Sequence, residues 1–216
     1  MSTVLAREQM VEQQVRAWDV LDARVLETLR KVPRDAFVAP QHRFLAFADV
    51  EIPLPCGQHM LRPSVVGRLL QALALTGTER VLEIGTGSGF VTACLRAGAA
   101  SVRSLEIFPE VAELARANIA TLGQRDVEIL AHDATRLDSD TRYDAIALTA
   151  SLPIPDERFQ RQLALGGRLF VVVGEPPVME ARLIRRISED AWGMESLFET
   201  VIDPLVHATR PQGFVF

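Results

Sequence analysis

The alternation of apolar and polar residues divides the chain into two zones. From about Ala6 to Phe47 the apolar positions recur at helical spacing and are interrupted by prolines. Val25, Leu26, Leu29 and Val32 fall on one face of a helix that Asp22 can cap, its carboxylate accepting an otherwise unpaired N-terminal amide. Pro33 and Pro40 end that pattern, and Pro53 and Pro55 flank an extended connection into Gly57.

From Arg80 onward, short apolar runs alternate with amphipathic stretches. Residues 81–84, 102–107, 127–130, 143–149 and 168–173 read as buried strands. Pro109 suits the first turn of a helix that places Val111, Leu114, Ala115, Ile119 and Leu122 on one face and stops at Gly123. This alternation predicts an α/β fold, Rossmann-like, with a mostly parallel twisted sheet and helices on both faces. Residues 181–187 and 196–202 read as two more strands meeting around Gly193, antiparallel at the C-terminal edge. Residues 1–75 are expected to form an N-terminal helical extension packed on a core of residues 76–216, the whole making one structural domain.

Composition narrows the function. With 216 residues, 48% of them hydrophobic and 24% charged, the chain can bury a sizeable core. A net charge of −5 counts against nucleic acid as a partner, since duplex binders need a basic face. No apolar run approaches the roughly 18–20 residues of a membrane span. The opening residues mix Arg7, Glu8, Glu12 and glutamines, unlike a secretory signal, so the expected compartment is cytoplasmic. Cys56 and Cys94 have neither a CxxC spacing nor neighbouring histidines, which argues against zinc or a disulfide scaffold and predicts no metal. Lys31 is the only lysine, and it sits in an amphipathic helix, so Schiff-base chemistry lacks its amine.

The most informative segment is Val81-Leu82-Glu83-Ile84-Gly85-Thr86-Gly87-Ser88-Gly89-Phe90. A strand runs directly into three alternate glycines and then a helix, an arrangement that lets a ligand approach backbone where a Cβ would collide. Dinucleotide folds use Gly-x-Gly-x-x-Gly, and Phe90 does not fit that spacing, which disfavours a nicotinamide dehydrogenase. Glu106 closes the next strand 21 residues after Gly85, near the separation expected of an acid that grips ribose hydroxyls.

The Glu-x-Gly-x-Gly-x-Gly form resembles motif I of class I S-adenosylmethionine-dependent methyltransferases. That resemblance implies S-adenosyl-L-methionine as cofactor, with Glu83, Gly85, Thr86, Gly87 and Gly89 forming its loop, Glu106 at the ribose and Asp133 at the adenine, and Ile107 and Ala134 beside them also binding it. Asp144, in Tyr-Asp-Ala-Ile, and the Gly166-Gly167-Arg168-Leu169 turn fit the same pattern.

Two further segments are more specific. Val32-Pro33-Arg34-Asp35-Ala36-Phe37-Val38 resembles the Val-Pro-Arg-Glu-x-Phe-Val segment of protein-L-isoaspartate O-methyltransferases, and residues 53–63 resemble that family's Gly-Gln-Thr-Ile-Ser-x-Pro loop. Residues 10–22, 148–155 and 201–205 are similar as well, so the likeness spans nearly the whole chain. It implies methylation of isoaspartyl carboxylates in damaged proteins, with no nucleic acid or membrane partner. Gly57, Gln58, His59, Met60 and Arg62 would form the acceptor loop. One departure matters: the family's serine is Leu61 here, and its threonine is His59. His59, Arg62 and Ser64 are the polar candidates to take over, whereas Cys56 has no activating base nearby. Two alternatives stay open: a methyltransferase of the same lineage with another acceptor, or a cofactor-binding module that has lost catalysis.

Overall fold

The computed structural model describes residues 2–137 and 140–210. Its first helix, α1 (Thr3–Gln9), is capped by the Ser2 hydroxyl, which accepts from the Leu5 amide. The helix widens into a π-type turn over Met10–Val15 that buries Met10, Val11 and Val15. Helix α2 (Ala23–Lys31) begins where the Asp22 carboxylate accepts from the Arg24 amide at 2.8 Å, and it turns Val25, Leu26 and Leu29 inward. Beyond Pro33 the chain proceeds in 3-10 turns, Arg34–Phe37 and Pro40–Leu45. A two-residue ladder of β1 (Ile52–Pro53) against β2 (His59–Met60) then closes the loop around Gly57, and Pro63 opens α3 (Pro63–Leu73).

The core alternates β3 (Arg80–Ile84), α4 (Phe90–Gly98), β4 (Ser101–Glu106), α5 (Pro109–Thr121), β5 (Val127–Ala131), β6 (Tyr143–Leu152), the one-turn α6 (Glu157–Gln160) and β7 (Leu163–Glu175). Strands β8 (Val178–Arg186) and β9 (Trp192–Glu199) follow as a meander. The seven-stranded sheet runs β5-β4-β3-β6-β7-β8-β9, parallel as far as β7 and antiparallel across the last two pairings. Only two residues join β7 to β8, a connection too short for anything but an antiparallel pair.

Successive side chains on each strand serve opposite layers. Val81, Val102, Ala145, Ala147, Phe170 and Val172 join the larger cluster, which also takes in the inward faces of α2, α3, α4 and α5. Leu82, Ile84, Leu105, Ile146, Leu148, Leu169 and Val171 face the other way. That second face is covered thinly, by Phe159 of α6, Ala134 of a 3-10 turn, and Leu205 and Ala208 near the carboxyl end. The N-terminal helices share the larger cluster with the sheet, from Met10 to Ile202.

Three boundaries differ from the sequence pattern. The last strand is Trp192–Glu199 rather than 196–202, and the chain reverses at 188–191, so that Gly193 pairs with Arg185 inside the strand. Strand β7 begins at Leu163, because Tyr143 pairs with Leu163 before the register shifts to Ala145 with Arg168; Gly166 and Gly167 lie within this irregular stretch. Strand β6 runs on to Leu152, since its final residues pair with Val172 and Val173.

The strand order places the site. From β3 the chain steps outward to β4 and β5, then returns to the other side of β3 as β6. A crevice opens at the carboxyl ends of the strands where the direction reverses, and there the glycine loop, Glu106 and Thr149 converge.

Candidate active site

Each glycine of the loop has its own reason. All three have positive φ, at 93°, 54° and 86° for Gly85, Gly87 and Gly89. A Cβ on Gly85 would lie 2.5 Å from Thr149 Oγ1, and one on Gly89 would lie 3.3 Å from the Ala115 carbonyl. Gly85 therefore admits β6, whose Thr149 hydroxyl donates to the Ile84 and Gly85 carbonyls, while Gly89 admits α5. A Cβ on Gly87 would lie 3.1 Å from the Leu54 side chain, and the Glu106 carboxylate ties this glycine down by accepting from its amide at 2.9 Å. The other Glu106 oxygen accepts from the Phe108 amide at 3.1 Å.

Glu83 lies underneath. It is fully buried and does not border the pocket. One carboxyl oxygen accepts from the Thr92 and Ser104 hydroxyls, at 2.5 and 2.6 Å, and the Ser104 hydroxyl also contacts that of Thr86 at 2.6 Å. Burial pushes the Glu83 carboxyl up to about 8, although the Ser104 and Thr92 hydrogen bonds pull the other way. Its structural contribution is a buried relay that holds the loop from below.

Above the loop is a pocket of about 700 Å³ of empty space, its mouth included. Gly85, Gly87, Glu106, Ile107, Asp133 and Ala134 line it, together with Gln58, His59 and Leu61 of the acceptor loop and residues 203–206. A smaller cavity adjoins it, sharing His59, Leu61, Gly85 and Gly87 and reaching Thr86 and Met60. Gly57, Arg62 and Gly89 border neither space. The Arg62 guanidinium turns to the Thr200 hydroxyl, and Ser64, buried in the first turn of α3, donates to Asp49. Cys56 is exposed and donates to Glu110, which raises its thiol.

Several lining residues are not singled out by the sequence: Glu51 and His132 lie outside the matched segments, and Leu54, Thr149 and Asp203 lie within them with no role assigned. Asp203 is brought in by the chain end. Its carbonyl accepts from the Ser151 amide, and the Leu205 amide donates back to Ser151, extending the end of β6 by one parallel bridge. From there its carboxylate meets His59 Nδ1 at 2.9 Å. A second such contact joins His207 Nδ1 to Asp133 at 2.9 Å. Burial raises the Asp133 carboxyl, but His207 and the hydroxyl and amide of Thr135 outweigh it and leave the group below its usual range.

The charge of the pocket is one-sided. Four carboxylates border it, from Glu51, Glu106, Asp133 and Asp203, and no lysine or arginine does among the described residues. Burial holds the Glu51 carboxyl above its ordinary value, against the pull of Arg62. Such a lining suits a ligand of net positive charge. S-adenosylmethionine, with a sulfonium and an ammonium against one carboxylate, meets that requirement. Glu106, Ile107, Asp133, Ala134 and two of the loop glycines, Gly85 and Gly87, are among the residues that line the pocket.

Comparison with known proteins agrees with this geometry. Residues 5–210 match the family described as protein-L-isoaspartate(D-aspartate) O-methyltransferase. Protein-L-isoaspartate O-methyltransferase 2 of Pelobacter propionicus is 38% identical over 204 residues, covering 94% of this chain and 91% of its own. Protein-L-isoaspartate O-methyltransferase 1 of an Anaeromyxobacter species is 42% identical over 168 residues, 77% of this chain and 79% of its own. In fold, the chain superposes at a TM-score of 0.79 on a Plasmodium falciparum structure described under the same activity and solved with S-adenosyl-L-homocysteine. That match covers 92% of this chain and 97% of the other at 18% identity. With nearly its whole length matched, the chain belongs to the protein-L-isoaspartate O-methyltransferase family, whose members are S-adenosylmethionine-dependent methyltransferases.

Proposed function

We propose that the protein methylates the free carboxylate of isoaspartyl residues in damaged polypeptides. The observation that carries this reading is the shared pocket. Gly85, Gly87 and Glu106 border the same space as Gln58, His59 and Leu61 of the acceptor loop. Family membership over residues 5–210 supports the same acceptor.

When bound, the cofactor supplies a methyl group on a positively charged sulfur, so that a carboxylate oxygen forms the new C–O bond as the C–S pair returns to sulfur. An isoaspartyl carboxylate is ionised at neutral pH, its reference pKa being about 4, and needs no base. The protein's task is therefore to align and to exclude water. Glu106 would grip the ribose diol, and the positive-φ glycines would seat the amino-acid end without a Cβ in the way. Asp133 would meet the adenine amino group, and Leu54 and Leu61 would keep water from the reacting atoms. The resulting methyl ester carries methoxide as its leaving group, where the free carboxylate would have to expel oxide. Attack by the neighbouring backbone amide nitrogen on the ester carbonyl expels methanol and gives a succinimide, which water reopens in part as normal aspartate.

The substrate on this reading is a protein or peptide; among the described residues no helix is long and apolar enough to cross a membrane. A cytoplasmic place accords with two unpaired cysteines, one exposed and one buried. Chromatography of an isoaspartyl peptide incubated with enzyme and cofactor tests the reading: succinimide and aspartyl peptide should accumulate, and their absence would refute it. Leu61 favours one second reading, a methyltransferase of the same lineage with another acceptor, because an apolar side chain cannot replace a carboxylate's hydration. Methyl transfer to other components of a cell extract, with none to the peptide, would select it.

A further inference from the structure

Leu61 occupies the point where the acceptor loop of the family offers a hydroxyl, so an incoming carboxylate must find its hydrogen-bond donor elsewhere. The other groups nearby are already engaged. The Gln58 amide donates to the Cys56 carbonyl, the Thr149 hydroxyl donates to Ile84 and Gly85, and the Arg62 guanidinium faces Thr200 outside the pocket. Among the described residues lining the main pocket only His59 and His132 can become cations, and His132 adjoins Asp133 on the cofactor side. In the smaller cavity Arg34 is held beneath the loop, two of its nitrogens donating to the Ala46 and Leu61 carbonyls and its plane lying against Phe90.

His59 is differently placed. It borders both the main pocket and the smaller cavity beside it, together with Leu61 and Gly85. Its Nδ1 faces Asp203 Oδ2 at 2.9 Å, and its Nε2 has no hydrogen-bond partner among the described residues. The ring is thereby held by one nitrogen and open at the other. Asp203 does not depend on His59 for its own place, since Ser151 fixes its backbone at the end of β6. Both side chains remain about a third exposed, at 39% and 32%, so the pair adds little to stability. Its position beside the reacting centre is what calls for explanation.

We propose that the His59–Asp203 pair replaces the missing acceptor-loop hydroxyl: His59 Nε2 donates to the substrate carboxylate, and Asp203 is a positioning residue that holds the ring. This rests on the isoaspartyl reading above. With Nδ1–H directed at Asp203, Nε2 can donate only when the imidazole is doubly protonated. The charged groups around it are Asp203 from the chain end, Glu51 ahead of β1 and Arg62 after β2, with Arg34 in the smaller cavity and Glu106, Asp133 and His132 elsewhere in the main pocket. Substrate affinity should therefore fall when the ring gives up its second proton, while the methyl-transfer rate at saturation changes little.

The test combines turnover of an isoaspartyl peptide between pH 6 and 8.5 with calorimetric binding of that peptide to enzyme saturated with S-adenosylhomocysteine. Expected for the wild type is a KM and a Kd that rise about tenfold across that range with kcat nearly constant. In His59→Leu both should be raised at least about tenfold at pH 6, and in His59→Gln, a neutral donor, both should be pH-independent and intermediate. Asp203→Asn should raise KM about threefold, and this effect should vanish in the His59→Leu background. Unchanged melting of each variant keeps folding out of the result. Flat KM and Kd with normal values in His59→Leu would overturn the proposal alone. So would a kcat that rises with pH and collapses in His59→Gln, since that marks a base. Absence of any turnover or binding of the peptide by the wild type would overturn this proposal together with the isoaspartyl reading.

Discussion

The Glu106 carboxylate accepts a hydrogen bond from the Gly87 amide at 2.9 Å, so the acid that ends β4 also braces the loop that follows β3. The two elements expected to hold the cofactor are thus one unit. Glu106→Ala should weaken S-adenosylhomocysteine binding by about 10–100-fold, the loss of roughly 1.5–3 kcal/mol for hydrogen bonds to a charged group. Glu106→Gln should lose less, because one acceptor oxygen remains. Calorimetry on the two variants, beside their melting curves, reads both effects.

Gly85 is constrained by sterics and by conformation together. Its φ of 93° is costly for any L side chain, and a Cβ would sit 2.5 Å from the Thr149 hydroxyl oxygen. Gly85→Ala should destabilise the fold by about 1–3 kcal/mol and also reduce cofactor affinity, because relief of the clash must shift the loop or β6. Denaturant titration and cofactor binding should both change; a variant with wild-type values in each would contradict this account of the loop.

The Glu83 carboxyl gives a pH signature. Burial pushes it up to about 8, so the folded protein holds a proton that the unfolded chain releases near 4.5. Raising the pH between those values favours the unfolded state, at up to about 1.4 kcal/mol per pH unit. Compared with Glu83→Gln, which carries no such proton, the wild type should lose relative stability from pH 5 to pH 8. Denaturant midpoints for the two proteins at several pH values measure the difference.

Glu79 should behave in the opposite sense. Burial works against its charge, but the Thr76 and Gly77 amides and Arg168 outweigh it and lower the carboxyl to about 2. Its contribution is present above pH 4.5 and lost as the pH falls toward 2. Glu79→Gln should therefore cost up to roughly 3 kcal/mol at neutral pH and little in acid. The same Arg168 side chain donates to the Ala74 carbonyl, so Arg168→Ala should also loosen the end of α3 from β7.

Local chemistry in the chain accounts for most of the fold. Asp22, Pro63 and Pro109 mark helix starts because capping and the ring of proline act within a few residues, and the β-strand runs declare themselves by continuous burial. The strand ends are less legible. Strand β7 begins at Leu163 only because Tyr143 pairs with it, and Gly193 lies inside β9 because it faces Arg185 across the ladder. In the site, the glycines and Glu106 stand out by spacing, whereas Asp203 does not. It reaches His59 across 144 positions of sequence through the pairing of residues 203–205 with Ser151, and no periodicity encodes such a contact. Glu83 was legible as part of the loop but not as its buried support, since its partners Thr92 and Ser104 lie on a helix and a neighbouring strand.

The most direct measurement is methyl transfer from tritiated S-adenosylmethionine to an isoaspartyl peptide, run beside the same peptide with normal aspartate. Incorporation into the isoaspartyl peptide alone, as a base-labile ester, is the predicted result. Equal labelling of both peptides, or of neither, would contradict the proposed acceptor.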